Sequence, residues 1–186
     1  MAGSSTDRAQ ARFLYDFASA EAYLAAEQVN SALDEVPEWV PVDIGPPAFR
    51  CAAEIDAYRE DVERRASAAG LQAVRWPAEY PPEDTRWALL AATYAKSIGR
   101  AVAFSLAAFR QAYAGGRDLS DRDSVLIAAA ACEMHPAAVI RGAETRATAE
   151  RLDAATAEAR AAGVRDVPAL VTPDGAVRDL RDLVRR

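Results

Sequence analysis

The chain has 186 residues, 51% hydrophobic and 27% charged, the composition of an ordinary globular domain long enough to bury a core. Its formal charge of -6 argues against nucleic acid or an anionic membrane as main partner, since both require a cationic face. Met1 to Arg12 is polar with no apolar leader segment, and no stretch approaches the length that crosses a bilayer, so the expected setting is the cytoplasm, with small molecules or proteins as ligands. Cys51 and Cys132 share no short spacing with each other or with the single His135, so no metal site and no paired-cysteine redox motif are expected. Two reduced thiols are the expectation there, and a disulfide between them the alternative.

Arg12 to Phe17 is apolar and aromatic and reads as a buried strand, which delivers a lone Ser19 to a helix over about residues 19–34, stopped by Pro37. Trp39 to Ile44 reads as a second strand, parallel to the first through a right-handed crossover and ended by Gly45-Pro46-Pro47. From Ala52 to Thr148 the pattern is helical almost throughout, with breaks at residues 76–82, at Gly115-Gly116 and at His135-Pro136. Ser120 with Asp123 resembles a capping box, and Pro136 fits a first helical turn. A further helix over about residues 145–162 ends at Gly163, a natural C-cap. Pro168 to Thr172 then reads as a strand, followed by a turn at Pro173-Asp174-Gly175, a short return strand and a last amphipathic turn through Leu180 and Leu183. The order is β-α-β, a helical block, then α-β-β-α.

Ser19 has two readings. As a cap it satisfies the first turn of its helix, the simpler reading from spacing alone. As a functional group it donates a hydrogen bond to a thiolate or oxyanion that the helix dipole also favours. Asp16 fits packing or helix electrostatics, His135 a cap or surface position, and the charged run Arg59 to Arg65 a solvated helix face. Trp39, Trp76, Tyr80, Trp87, Tyr94 and Phe104 read mostly as core, with some available to wall an aromatic-substrate pocket between the subdomains. Cys51 is a candidate exposed thiol that nothing nearby in sequence activates.

Four stretches carry a resemblance in a fixed order: Asp16-x-x-Ser19-x-x-x-Tyr23-Leu24, Trp39-Val40-Pro41-Val42, Tyr58-Arg59-x-Asp61-Val62-x-Arg64 and Gly163-Val164-x-x-Val167-Pro168-Ala169-Leu170. The set resembles the DsbA-like thioredoxin superfamily, and within it the 2-hydroxychromene-2-carboxylate isomerases and kappa-class glutathione transferases. The resemblance implies an α/β thioredoxin-like fold with an inserted all-α subdomain. Residues 12–51 and 145–186 would form the thioredoxin-like part and 52–144 the insertion, with 1–11 a disordered N-terminus. It also implies Ser19 as the catalytic residue contacting glutathione, a cis bond at Val167-Pro168 whose backbone pairs with an extended thiol peptide, an aromatic or conjugated substrate, and a homodimer. Ser19 and Ala22 stand where the superfamily's redox members carry Cys-x-x-Cys, so dithiol exchange is not expected. A glutathione-dependent isomerase is the leading expectation; a transferase using glutathione or another low-molecular-weight thiol, or a non-catalytic binding protein, are the alternatives.

Ala20 stands where these relatives usually have proline, the stretch between Gly45 and Tyr58 lacks their thiol-holding Asn and Lys, and their C-terminal Gly-x-Asp-Arg appears only as Val177-Arg178-Asp179-Leu180-Arg181-Asp182.

Overall fold

A computed structural model describes residues 10–181; residues 1–9 and 182–186, which hold most of the segment expected to be disordered and Leu183, lie outside the described residues. The strands are β1 (Arg12–Tyr15), β2 (Glu38–Pro41), β3 (Ala169–Val171) and β4 (Val177–Asp179). Helices α1 (Ala20–Ala26) and α2 (Val29–Ala32) lie between β1 and β2. Between β2 and β3 follow α3 (Ala52–Ala68), α4 (Arg86–Ser97), α5 (Ala101–Tyr113), α6 (Arg122–Ala131), α7 (Pro136–Ala143) and α8 (Arg146–Ala161).

The sheet runs β2-β1-β3-β4. β1 and β2 are parallel, with Leu14 beside Val40, and the other pairs are antiparallel, with Phe13 beside Leu170. Alternation along the strands sorts the side chains onto two faces. Phe13, Tyr15, Trp39 and Leu170 join α1 and the helical block in one large core that includes Phe104, Phe109 and Val125. Leu14, Val40, Ala169 and Val171 face the other way and pack with Ala159 of α8. The helical block therefore shares the core of the sheet, and α4 touches both β2 and α8.

Several elements differ from the sequence reading. The helix expected over residues 19–34 breaks after Ala26, which lets Val29 turn fully into the core and brings the Asn30 amide oxygen to the Trp39 indole at 3.1 Å. β2 stops at Pro41 rather than Ile44, because the Asp43 and Ile44 N–H groups are claimed by the side chains of Thr156 and Asp16. The cap of α6 is Asp121, whose carboxylate accepts from the Asp123 N–H, and not Ser120. Arg59 to Arg65 is a solvated face only in part: Glu60, Glu63 and Arg64 are exposed, whereas Val62 is fully buried and Arg65 only 6% exposed. His135 caps α7 through Nδ1, with Pro136 in the first turn, and Gly163 follows the end of α8 at φ +93°.

Candidate functional site

Asp16, just past β1, organises the corner at which α1 begins. Its carboxylate is completely buried and accepts four hydrogen bonds, from Ala18 N–H and Thr85 Oγ1 on one oxygen and from Ile44 and Gly45 N–H on the other, all at 2.9–3.0 Å. Burial pushes its pKa up, while the hydrogen bonds pull it back. One side chain thus fastens the β1–α1 turn, the loop after β2 and the start of α4.

Ser19 sits on this frame, 1% exposed. Its Oγ accepts from the Ala22 N–H at 3.1 Å as the cap of α1 and donates to the Val167 carbonyl at 3.0 Å. The Val167–Pro168 peptide is cis, as the resemblance implied. The three sequence-predicted site residues Ser19, Val167 and Pro168 therefore meet, although they are 148 positions apart in the chain at the Ser19–Val167 bond. Both bonding functions of the hydroxyl are engaged inside the protein.

Beside this corner opens a cavity of about 490 Å³, walled by Glu21 of α1, the loop Ile44–Ala48, Tyr58 of α3, and Arg165, Asp166 and Arg181. Glu21, Asp166 and Arg181 of this wall belong to a charge network whose well-buried members are Arg65 and Glu21. Arg65 donates to Glu21 at 2.9 Å, to Asp61 at 3.2 Å and to the Arg181 carbonyl at 2.7 Å. The Arg181 guanidinium binds Asp166 at 3.0 Å and Asp179 at 2.6 Å, and lies 3.9 Å from Glu21. Burial pushes the Glu21 pKa up against the pull of both arginines. These charges pair with one another, so a ligand carrying both carboxylate and ammonium groups binds here only by exchanging into those pairs.

Behind the cavity Tyr58 stacks on Tyr80, with ring centroids 5.9 Å apart and planes 12° from parallel. Phe49, Trp76 and Tyr113 complete the aromatic cluster, and the Arg59 guanidinium lies over the Trp76 and Tyr80 rings at 5.4 and 5.6 Å. Of the six aromatics read as core, Trp39, Tyr80 and Phe104 are buried and Trp76, Trp87 and Tyr94 half-buried. The Tyr58 and Tyr80 hydroxyls are close to one another and to the Glu21 and Ala20 N–H groups of α1. None of these approaches reaches hydrogen-bond geometry, so both oxygens are buried without a partner. Burial raises both phenol pKa values, that of Tyr80 to about 12.

A larger cavity of about 640 Å³ lies between β2, α4 and α8, away from Ser19. The ion pairs Arg12–Glu158 and Lys96–Glu38 already neutralise most of its charge. Cys51 is exposed, Cys132 is buried, and both are free thiols. Among the described residues no group of three or more His, Cys, Asp or Glu could hold a metal ion, and no helix is long and apolar enough to cross a membrane.

Sequence reasoning singled out Ser19, Val167 and Pro168 but not the roles of Glu21, Tyr58, Arg65 and Arg181. The available signal was helical spacing: Tyr58, Val62 and Arg65 recur on one face of α3, and one apolar residue on that face already marks it as inward.

The DSBA-like thioredoxin domain matches residues 11–183. No curated protein matches the sequence. Among solved structures, 2-hydroxychromene-2-carboxylate isomerase superposes with a TM-score of 0.79 at 19% identity, covering 91% of this chain and 87% of that one. A probable DsbA oxidoreductase from Streptomyces coelicolor superposes with a TM-score of 0.75 at 18% identity, covering 91% and 82%. At these identities the likeness is one of fold.

Proposed function

The chain belongs to the DsbA-like thioredoxin domain family, and we propose that it works there as a thiol-dependent isomerase rather than as a dithiol oxidoreductase. The observation that carries this reading is the bond from Ser19 to the carbonyl before the cis proline, beside a cavity of about 490 Å³ with charges of both signs. That volume is within the range of roughly 300–1,000 Å³ typical of small-molecule sites. A peptide thiol such as glutathione lies in the cavity, its carboxylates toward Arg165 and Arg181 and its ammonium toward Glu21 and Asp166. Its backbone N–H takes the Val167 carbonyl, in the manner of strand addition, and the released Ser19 hydroxyl turns to the sulfur.

The thiolate adds to the β-carbon of a conjugated enone, forming a C–S bond and an enolate. The former double bond rotates, the enolate collapses, and the C–S bond breaks to return the thiolate and the other geometric isomer. No electrons are gained or lost, so no redox partner is needed. The free thiols Cys51 and Cys132 fit a reducing compartment such as the cytoplasm on this reading.

Calorimetric titration with glutathione, followed by thiolate absorbance against pH for wild type and Ser19→Ala, tests it. Binding with a lowered thiol pKa, partly lost in Ser19→Ala, is the expected result. Turnover of an enone with catalytic thiol supports isomerisation, whereas stoichiometric thiol consumption would make the protein a transferase. Absence of thiol binding would overturn both and leave a non-catalytic binding protein.

A further inference from the structure

We infer that Tyr58 is a second hydrogen-bond donor to the bound thiolate, its hydroxyl acting alongside Ser19; the inference rests on the thiol-binding reading above. Tyr58 forms part of the cavity wall, and its ring is held by the near-parallel stack on Tyr80 and by an edge contact to Phe49. Its hydroxyl is buried and has no hydrogen-bond partner, and the same holds for Tyr80 behind it. Unpaired polar atoms of this kind are rare in folded proteins, because each forfeits its hydration and costs about 1–3 kcal/mol. An acceptor arriving from the cavity recovers that cost.

Ser19 is in the opposite condition. Its hydroxyl already donates to Val167 and caps Ala22, so donation to sulfur requires that a formed bond be given up. Tyr58 gives up only its close approach to the Tyr80 hydroxyl, which is not a formed hydrogen bond. One more donor is close to the hydroxyl, the Glu21 N–H, which the Ser19 cap leaves free by taking the Ala22 N–H, and it is set against the Glu21 carboxylate, which opposes negative charge there. Burial holds the phenol well above its ordinary pKa, so it keeps its proton at neutral pH and serves only as a donor. Both hydroxyls lie at the N-terminal end of α1, that of Tyr58 near the Glu21 N–H and that of Ser19 on the Ala22 N–H. Tyr80 does not line the cavity and is a positioning residue for the Tyr58 ring.

The test uses the full chain with glutathione, and with cysteine as a second probe. Wild type, Tyr58→Phe, Tyr80→Phe and Ser19→Ala are compared by the pH titration of bound thiolate absorbance and by the near-ultraviolet tyrosine difference spectrum on binding. Tyr58→Phe keeps the ring stack and removes an unsatisfied polar atom, so it is expected to fold with an unchanged or higher Tm. In it the thiol titration should move up by about one to two pH units, the worth of one hydrogen bond to a charged group. The tyrosine difference spectrum should vanish with Tyr58→Phe and persist in Ser19→Ala, and Tyr80→Phe should leave the titration close to wild type. A Tyr58→Phe titration that superposes on wild type, while glutathione binds and Ser19→Ala shifts, overturns the inference and leaves the proposed function standing. Wild type that binds neither thiol overturns both.

Discussion

Arg65 should be worth more to this fold than any exposed arginine, and a double-mutant cycle with Glu21 measures it. The pair is 2.9 Å apart, with side chains 6% and 14% exposed. At that separation an effective dielectric of about 20 gives an attraction of about 5.7 kcal/mol, against which the loss of hydration must be set. Arg65→Met keeps the stem and removes the charge, leaving Glu21 with Arg181 at 3.9 Å as its nearest cation. Breaking one side of a buried pair costs about 3–5 kcal/mol, and because Glu21 is partly solvated the lower end applies. For a domain of this size about 3 kcal/mol corresponds to a fall in Tm of roughly 6–12 °C. Adding Glu21→Gln removes the uncompensated carboxylate, so the double variant should recover about half of the loss.

The cycle also has a pH signature. Burial raises the folded-state pKa of Glu21 above its unfolded value, so folding binds a proton more tightly at this group. Its stabilising contribution is complete below the unfolded pKa and is lost as pH rises through the folded one. Without Arg65 the folded pKa rises further, and the cost of Arg65→Met must shrink as the pH is lowered from 7 toward 4. Urea titrations across that range provide the measurement. A coupling energy below about 0.5 kcal/mol, the usual scatter between independent sites, or a cost that does not change with pH, would refute the reasoning.

Three further outcomes are expected. Asp16→Asn places an amide nitrogen against two of the four donors that now converge on the carboxylate; even with the buried charge gone it should cost about 2–4 kcal/mol in chemical denaturation, and an unchanged midpoint would show that the four bonds do not hold the corner. Gly142→Ala, a change that in an open helix gains up to about 1 kcal/mol, should here be destabilising by about 1–3 kcal/mol, because the new Cβ would fall inside van der Waals contact with the Tyr94 ring; a raised Tm would contradict this. Reduction of insulin disulfides should be absent, since Ser19 and Ala22 occupy the two positions of the dithiol, and turnover by the wild-type protein would sink the assignment.

Chain-local information reached far into this protein. The apolar run from Arg12 to Phe17 marked the first strand, glycine and proline marked the end of α8 and the start of α7, and the ordered matches from Asp16 to Leu170 pointed to the family. Those features are legible because they depend on neighbours within about one helical turn or on a pattern shared along the chain. The same locality explains the errors. A run such as Arg59 to Arg65 looks solvated until its facing element is known, because a guanidinium is buried only where Glu21, Asp61 and the Arg181 carbonyl converge on it. Ser19 could be read as a cap or a donor, and only the fold shows that its hydroxyl spans 148 positions to Val167. Helical spacing turns Tyr58 inward and composition places Tyr80 in the core, but neither tells whether a phenol has a partner, since that depends on what the rest of the chain brings within 3 Å or so of its oxygen. Sequence alone determined the order of strands and helices and the location of the corner. Tertiary packing decided which polar groups there are satisfied and which are left without a partner, because hydrogen-bond partnership is a property of positions in space and not of order along the chain.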